Sequence, residues 1–136
     1  MKLTTIIVLS LSTLLFACSN NTNTTMQPIQ LQDLQKEWKL TSIDNNPVQS
    51  MSSISVDEQA KATGNLACNN FFGAVELQAN KLRIDKMGST RKMCEPAVND
   101  VEMIVSNTLS SWSEVKINNQ QLTLTGAEHT LTYTLK

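Results

Sequence analysis

The chain has 136 residues and a formal net charge of −1 at pH 7, with 11 Lys and Arg against 12 Asp and Glu. The absence of any basic run argues against a nucleic acid as its partner. Three cysteines and one histidine leave few side chains for a metal centre or a nucleophilic site.

The N-terminus has the pattern of a secretory signal. Lys2 precedes about eleven mostly apolar residues, Ile6 to Phe16. This run is too short to span a hydrocarbon core, which takes roughly 20 residues. It fits the apolar region of a signal peptide instead.

The apolar run ends in Leu15-Phe16-Ala17-Cys18, which resembles the lipobox of bacterial lipoproteins. The resemblance implies that residues 1–17 are a signal peptide and that Cys18 becomes the lipidated first residue. Two or more acyl chains give stable membrane anchoring. Ser19 rather than Asp follows Cys18, which by the sorting rule of that family implies the outer membrane, with the domain facing the periplasm.

Residues 18–30 are predicted to be the lipidated cysteine and a disordered tether, because the segment after Cys18 is almost entirely Ser, Asn, Thr and Gln. Some 12–14 flexible residues reach about 20 Å. Residues 31–136 remain, enough for one domain with one core.

Most of this domain reads as short strands. After a helical turn near Leu31, strands are predicted from the alternation of apolar residues and from turn signals. Phe71 and Phe72 fall on opposite faces of a strand, so at least one of them is expected in the core. The predicted strands are 37–43, 54–56, 60–65, 72–77, 81–84, 88–93, 114–117, 121–125 and 130–135.

A single amphipathic helix is predicted from Glu95 to Trp112, with Pro96 in its first turn. Its apolar stripe has helical spacing and consists of Val98, Val101, Val105, Leu109 and Trp112. The elements predict a mostly β (α+β) fold, a small antiparallel β-barrel of about eight short strands with one helix packed against it and plugging one end. Trp38 and Trp112 are expected in the core.

The two cysteines left after lipidation, Cys68 and Cys94, are expected to form a disulfide, because the compartment is oxidising. A redox site is an alternative. Cys94 follows Arg91 and Lys92 and precedes a helix N-terminus, and both features favour a thiolate. Two inert buried thiols are the third possibility.

Other chemistry finds little support in the residues. Zinc takes three or four close ligands, and the one histidine, His129, lies in a predicted turn beside Glu128. A hydrolase needs a base positioned by a third group. No metal, cofactor or catalytic residue is therefore predicted. Met87, Met93 and Met103 could line an apolar cavity, although methionine more often fills gaps in a core.

Two segments, read together, resemble the META (HslJ-like) domain family. They are Gly64-x-x-x-Cys68-Asn69-x-Phe71-Phe72-Gly73 and Ser89-Thr90-Arg91-x-Met93-Cys94, followed by a helix and a Leu-Thr-Leu hairpin. The likeness covers roughly residues 31–136. Asn70 departs from the family, whose members usually carry a basic residue there. The motif residues carried over are Asn69, Phe71, Phe72, Gly73, Thr90 and Arg91.

The resemblance implies a small β-barrel with one helix and no enzyme activity. Members of the family are linked to heat shock and to novobiocin resistance. The sequence thus predicts an outer-membrane lipoprotein that is a non-catalytic module, binding an unidentified envelope protein or supporting the envelope under stress. The architecture also resembles secretin pilot lipoproteins, so a carrier of a lipid or acyl chain is the alternative. Arg91 is expected either to pair with a carboxylate or carbonyl groups, or to contact an anion or partner.

Overall fold

The computed structural model describes residues 27–136. The predicted signal peptide, Cys18 and the tether up to residue 26 lie outside the described residues. The described chain folds into helix α1 (Leu31–Leu34), strands β1 (Glu37–Ile43), β2 (Asn46–Pro47), β3 (Ser53–Val56), β4 (Lys61–Asn65), β5 (Asn70–Gln78) and β6 (Lys81–Ser89), helix α2 (Pro96–Ser110), and strands β7 (Ser113–Asn118), β8 (Gln121–Thr125) and β9 (Thr130–Leu135).

The nine strands form one antiparallel sheet in the order β2-β1-β3-β4-β5-β6-β7-β8-β9. Strand β1 also pairs with β9, so the sheet closes on itself into a ring, and the two-residue β2 extends β1 beyond it. The predicted mostly β fold is confirmed. The predicted strands 81–84 and 88–93 are parts of one strand, β6, so the prediction is wrong beyond Ser89, and the two-residue β2 was not predicted. The predicted helical turn at Leu31 is the short helix α1.

The ring is weakest between β6 and β7, which pair only through Lys81–Glu114 and Leu82–Ser113. Helix α2 connects these two strands and packs against β6 and β9. Two side chains of its predicted stripe, Val105 and Leu109, are fully buried. The helix therefore supplies the apolar contacts that the strands lack where they separate.

Helix α2 lies across one end of the ring. Its first half contacts the β4–β5 turn through a hydrogen bond between Glu102 and Asn69. Its last turn packs closely on the β8–β9 turn, since a Cβ added to Gly126 would lie 3.1 Å from Thr108 Cγ2. The strand register puts both turns at the same end. We call it the helix-covered end, and the prediction that a helix closes one end is confirmed.

The opposite end, where α1 lies, is closed by Leu34 and Trp38, which are 1% and 0% exposed. Trp38 Nε1 donates a hydrogen bond to the Leu34 carbonyl at 3.2 Å. The interior void holds only about 10 Å³ and is lined by Leu34, Trp38, Ile54, Val56, Val75, Leu82, Ile84, Leu122 and Leu124. The interior is thus a packed core, and Trp38 is in it as predicted.

The prediction that Trp112 belongs to the core is wrong. Trp112 follows the last residue of α2 and is 37% exposed. Its ring lies under the guanidinium of Arg83, 4.9 Å from Cζ to the ring centroid. The stripe leaves the core because α2 ends at Ser110, so Trp112 no longer continues the helical spacing.

The described chain enters at the α1 end, which we call the entry end. Ile29 N donates to Asn80 Oδ1 in the β5–β6 turn at 3.2 Å, and the Ile29 side chain packs against the core. Strand β5, nine residues long, separates this turn from Asn69, a distance of about 26 Å. Among residues 27–136 there is no helix with the length and apolarity to span a membrane.

Because α2 completes the core where β6 and β7 separate, truncating a side chain on its buried face is expected to destabilise the whole domain. Leu109→Ala should lower the free energy of unfolding by about 2–5 kcal/mol, measured by urea denaturation of residues 27–136. Met103→Ala on the exposed face of the same helix is the matched control and should change it by less than about 0.5 kcal/mol. Equal effects of the two substitutions would contradict the role given to α2.

Candidate functional site

The buried amide of Asn69 joins the β4–β5 turn to the segment between β6 and α2. Asn69 is 4% exposed. Its Oδ1 accepts hydrogen bonds from Lys92 N at 2.6 Å and from Thr90 Oγ1 at 2.9 Å. Its Nδ2 donates to Glu102 Oε1 at 2.7 Å and to the Lys92 carbonyl at 3.2 Å. The full hydrogen-bonding capacity of the amide is used, which fixes the loop against the turn.

The carboxylate of Glu102 holds the same turn from the side of α2. Its Oε2 accepts from the backbone N–H groups of Asn69 at 2.6 Å and Cys68 at 2.9 Å. Burial alone would raise the pKa of Glu102. The hydrogen bonds from the Asn69 side chain and from the two backbone N–H groups, with the charge of Lys92, outweigh burial and lower this pKa below its ordinary value. The group is therefore an ionised acceptor at neutral pH.

Cys68 and Cys94 form a disulfide that spans the same junction, with Cα atoms 6.1 Å apart. The bond closes a loop with a sequence separation of 26 that contains β5 and β6. Cys68 lies in the turn held by Glu102, and Cys94 lies two residues after Lys92, which Asn69 holds. One covalent link and one hydrogen-bonded network thus fasten the same two segments, and we call the set Asn69, Thr90, Lys92, Glu102 and the disulfide the Asn69 junction.

The sequence profile of the META domain family matches residues 30–136. The chain belongs to the META domain family. It is 33% identical over 130 residues to heat shock protein HslJ of Escherichia coli (strain K12), covering 93% of this chain and 91% of HslJ.

Two solved structures have the same fold as this META domain. An NMR structure of a protein 32% identical in sequence has a TM-score of 0.70, covering 79% of this chain and 95% of that one. An NMR structure of a protein from Burkholderia xenovorans has a TM-score of 0.64 over 78% of this chain and 86% of that one. Its identity is 22%, so it supports the fold alone.

Thr90 extends the junction into strand β5 of the META domain. Its Oγ1 accepts from Asn70 N at 3.2 Å while donating to Asn69, and its N–H donates to the Asn70 carbonyl at 3.0 Å. The side chain of Asn70 is exposed and accepts from Asn65 Nδ2 at 3.0 Å. The departure from the family at Asn70 therefore leaves the junction intact, because Asn70 takes part through its backbone.

The structure does not show one of the two roles that were expected for Arg91. The expectation of pairing with a carboxylate or with strand-end carbonyls is not met among residues 27–136, where Arg91 forms neither a hydrogen bond nor an ion pair. The side chain is exposed between Thr90 and Lys92, whose groups Asn69 holds. The backbone around Arg91 is thus fastened while its guanidinium points to no described partner.

The Phe-Phe-Gly part of the motif builds the sheet beside the junction. Phe71 is 3% exposed and in the core, whereas Phe72 is 56% exposed, as their predicted opposite faces require. Phe72 pairs with Gly88 across the strands and covers it, so that a Cβ on Gly88 would lie 2.6 Å from Phe72 Cζ. Gly73 has no room for a side chain because a Cβ would meet Ile84 Cγ2.

His129 lies in the turn between β8 and β9, as predicted, and is held there by an acidic partner. Its Nδ1 lies 2.7 Å from Asp44 Oδ2, and Thr130 N donates to Asp44 Oδ1 at 2.7 Å. The hydrogen bond with His129, followed by the one from Thr130, lowers the pKa of Asp44. The pair ties the β1–β2 turn to the β8–β9 turn beside a groove of about 250 Å³.

Catalytic and metal-binding arrangements were not predicted. In the described part of the chain, no serine or cysteine side chain hydrogen-bonds to His129, and no group of three His, Cys, Asp or Glu side chains is placed to hold a metal ion. The idea of a cavity shared by three methionines is not supported. Met93 and Met103 are 92% and 58% exposed, and Met87 packs at the margin of the core.

Glu102 is the site residue that sequence reasoning missed. The available signal was its position directly beside the apolar stripe, next to Val101, where a carboxylate is half-buried and needs donors. What the sequence does not contain is the identity of those donors, which are backbone N–H groups of Cys68 and Asn69 more than thirty residues away.

Because Gln keeps only one acceptor oxygen, Glu102→Gln removes part of the support of the turn. We expect a loss of about 1–2 kcal/mol in the free energy of unfolding at pH 7, at the lower end for hydrogen bonds to a charged group since the side chain is half-exposed. The pKa of Glu102 lies below the reference value of 4.5. The contribution of the Glu102 carboxylate to the free energy of unfolding is therefore present above pH 4.5 and is lost as the pH falls through the folded-state pKa.

The gap in stability between the wild type and Glu102→Gln should therefore shrink between pH 7 and pH 3 in urea titrations. Asp100→Asn, an exposed carboxylate on the same helix, is the control and should show a small gap at both pH values. A gap for Glu102→Gln that is as large at pH 3 as at pH 7 would argue against an ionised acceptor.

The disulfide and the Asn69 amide fasten the same segments, so their contributions are expected to be coupled. Replacing both Cys68 and Cys94 by Ser should cost about 3–4 kcal/mol from loop closure over 26 residues. Asn69→Ala should cost more in this background than in the oxidised protein, because only the amide then holds the loop. A double-mutant cycle measured by chemical denaturation tests this, and strict additivity would show that the two links act independently.

Proposed function

We propose that this META domain protein is an outer-membrane lipoprotein, anchored through acyl chains on Cys18, whose non-catalytic domain faces the periplasm and binds an envelope protein. The resemblance of Leu15–Cys18 to a lipobox, and Ser19 after it, support the proposed outer-membrane location. The anchored segment joins the domain at the entry end, where Ile29 is held by Asn80. The helix-covered end with the Asn69 junction then faces away from the membrane.

The observation that carries a binding function is the distribution of apolar side chains. The interior of the ring is filled, with a void of about 10 Å³. Large apolar side chains lie outside instead, at or near the helix-covered end: Met51 is 82% exposed, Phe72 56%, Met93 92% and Met103 58%. Exposed clusters of apolar side chains are typical of surfaces that bind other proteins, and flexible methionines adapt to different partners.

The alternative, a carrier of a lipid or acyl chain, finds less support. Sites for small molecules usually enclose about 300–1,000 Å³, far more than the void inside this ring. The acyl chain would have to displace core side chains such as Trp38 and Leu34. We therefore favour binding through the outer surface.

A role in envelope stress is the second part of the proposal. The relative in Escherichia coli is named a heat shock protein, and the resemblance to the META family extends this to tolerance of antibiotics such as novobiocin. A closed ring with a disulfide suits a domain that has to stay folded at raised temperature. The stress itself is tested by growth of a deletion strain at high temperature and with novobiocin, complemented by the wild-type gene.

The proposed outer-membrane location is tested by fractionating cells that express three forms of the full chain. We expect the wild type in the outer membrane, Cys18→Ser in the soluble periplasmic fraction, and Ser19→Asp in the inner membrane. Complementation should follow the outer-membrane fraction. If Cys18→Ser stays in the outer membrane, lipid anchoring is excluded, and if it complements fully from the periplasm, the anchor is not needed for function.

A further inference from the structure

A mostly apolar groove of about 410 Å³ runs beside the Asn69 junction. One wall is the segment Val48–Met51 between β2 and β3, and the other is the first half of α2 with Ala97, Val98 and Val101. Ala67, the neighbour of Cys68, closes one side. The groove therefore lies at the helix-covered end, and we call it the Met51 groove.

The surroundings of the Met51 groove combine exposed apolar side chains with an uncompensated positive charge. Met51 stands at its edge and Met93 lies on the adjoining β6–α2 loop, 82% and 92% exposed. In the same loop Arg91 has no carboxylate among the described residues. Glu95, at the N-cap of α2, forms no ion pair with Arg91.

The loop that carries Arg91 and Met93 is held in place before any partner arrives. Asn69 holds both backbone groups of Lys92, and the disulfide holds Cys94. A surface fixed in this way loses little conformational freedom on binding, which favours affinity. The exposed side chains are thus presented from a rigid backbone.

Two other occupants of the groove are disfavoured. The described chain begins at the entry end, about 26 Å from the groove along β5, so the residues before it would have to cross that distance to reach the groove. Residues 19–25 are all Ser, Asn or Thr, and they would leave the apolar walls uncovered. With the proposed anchor at that end, a membrane surface also lies on the far side of the domain.

We propose that the Met51 groove binds a segment of an envelope protein that seats an apolar side chain between Met51 and Val98 and pairs a carboxylate with Arg91. This inference rests on the proposed function and specifies where and how the partner binds. Buried apolar anchors supply most of the affinity in such interfaces. A complementary charge at the margin sets orientation and selects the partner.

The test uses the full lipidated chain in living cells, with a benzophenone side chain placed at Met51 and, as a control, at Lys116 on the far side from the groove. Irradiation is expected to give a protein adduct from Met51 and not from Lys116. Arg91→Glu should lower the yield of that adduct by about tenfold or more. Lys61→Glu, the same charge change at an exposed position of the entry end, should leave the yield unchanged, and thermal melts check that both variants fold.

The partner identified from the adduct is then purified and its Kd measured. Changing to Lys the partner's carboxylate residue that lies nearest its crosslinked position should weaken binding to the wild type and restore binding to Arg91→Glu. The inference is overturned if the Met51 adduct is a second copy of this chain or a lipid, or if Arg91→Glu leaves its yield unchanged. A protein partner that crosslinks only from Lys116 overturns the binding site at the groove and leaves the proposed function standing. The absence of a protein adduct from both Met51 and Lys116 overturns both.

Discussion

Closure of the ring depends on holding helix α2 against the gap between β6 and β7. Those strands share two residue pairs, so the sheet alone does not complete the barrel-like core there. The helix is fastened at both ends. Glu102 and the disulfide hold its first half to the β4–β5 turn, and Ser113 Oγ donates to the Thr108 carbonyl at its last turn, at 3.0 Å. Polar contacts at the margins thus secure apolar packing by Val105 and Leu109 in the middle.

This constraint explains why the family motif combines a cysteine, an asparagine, two phenylalanines and a glycine. Cysteine and asparagine stand together because one position needs a covalent link and the next needs a side chain with two acceptor and two donor sites. An aspartate in place of Asn69 could not donate to Glu102 and would put two carboxylates side by side. Phe71 enters the core on one face of the strand, and Phe72 covers Gly88 on the other. Gly73 comes next because a side chain there would meet Ile84.

The parts of the fold that follow from local rules could be predicted from the sequence. Alternation in β5 and β6, the apolar stripe of α2 and the turn at Asp44–Pro47 each depend on neighbouring residues. Trp112 could not be placed, because size and spacing favour the core and only the end of α2 at Ser110 decides otherwise. The sequence also could not predict the roles of Glu102, Arg91 and the Asp44–His129 pair, because each depends on which distant segments the ring brings together. The cysteine pair could be predicted only through the expected signal peptide and the oxidising compartment that it would imply.

In the proposed mode of binding, the six residues between β6 and α2 separate the groups that stabilise the fold from the side chains that contact the partner. Thr90, Lys92 and Cys94 are fastened through a hydroxyl, a peptide group and a sulfur atom, whereas the side chains of Arg91 and Met93 between them are exposed. Exchange of the two exposed side chains costs the fold little, because surface positions away from caps and buried networks have small effects. The same exchange changes charge and apolar area on the loop that the disulfide joins to Cys68, the neighbour of Ala67 in the Met51 groove. A scaffold arranged in this way can alter its partner while keeping its ring closed, which fits a small domain whose interior leaves no space for a ligand.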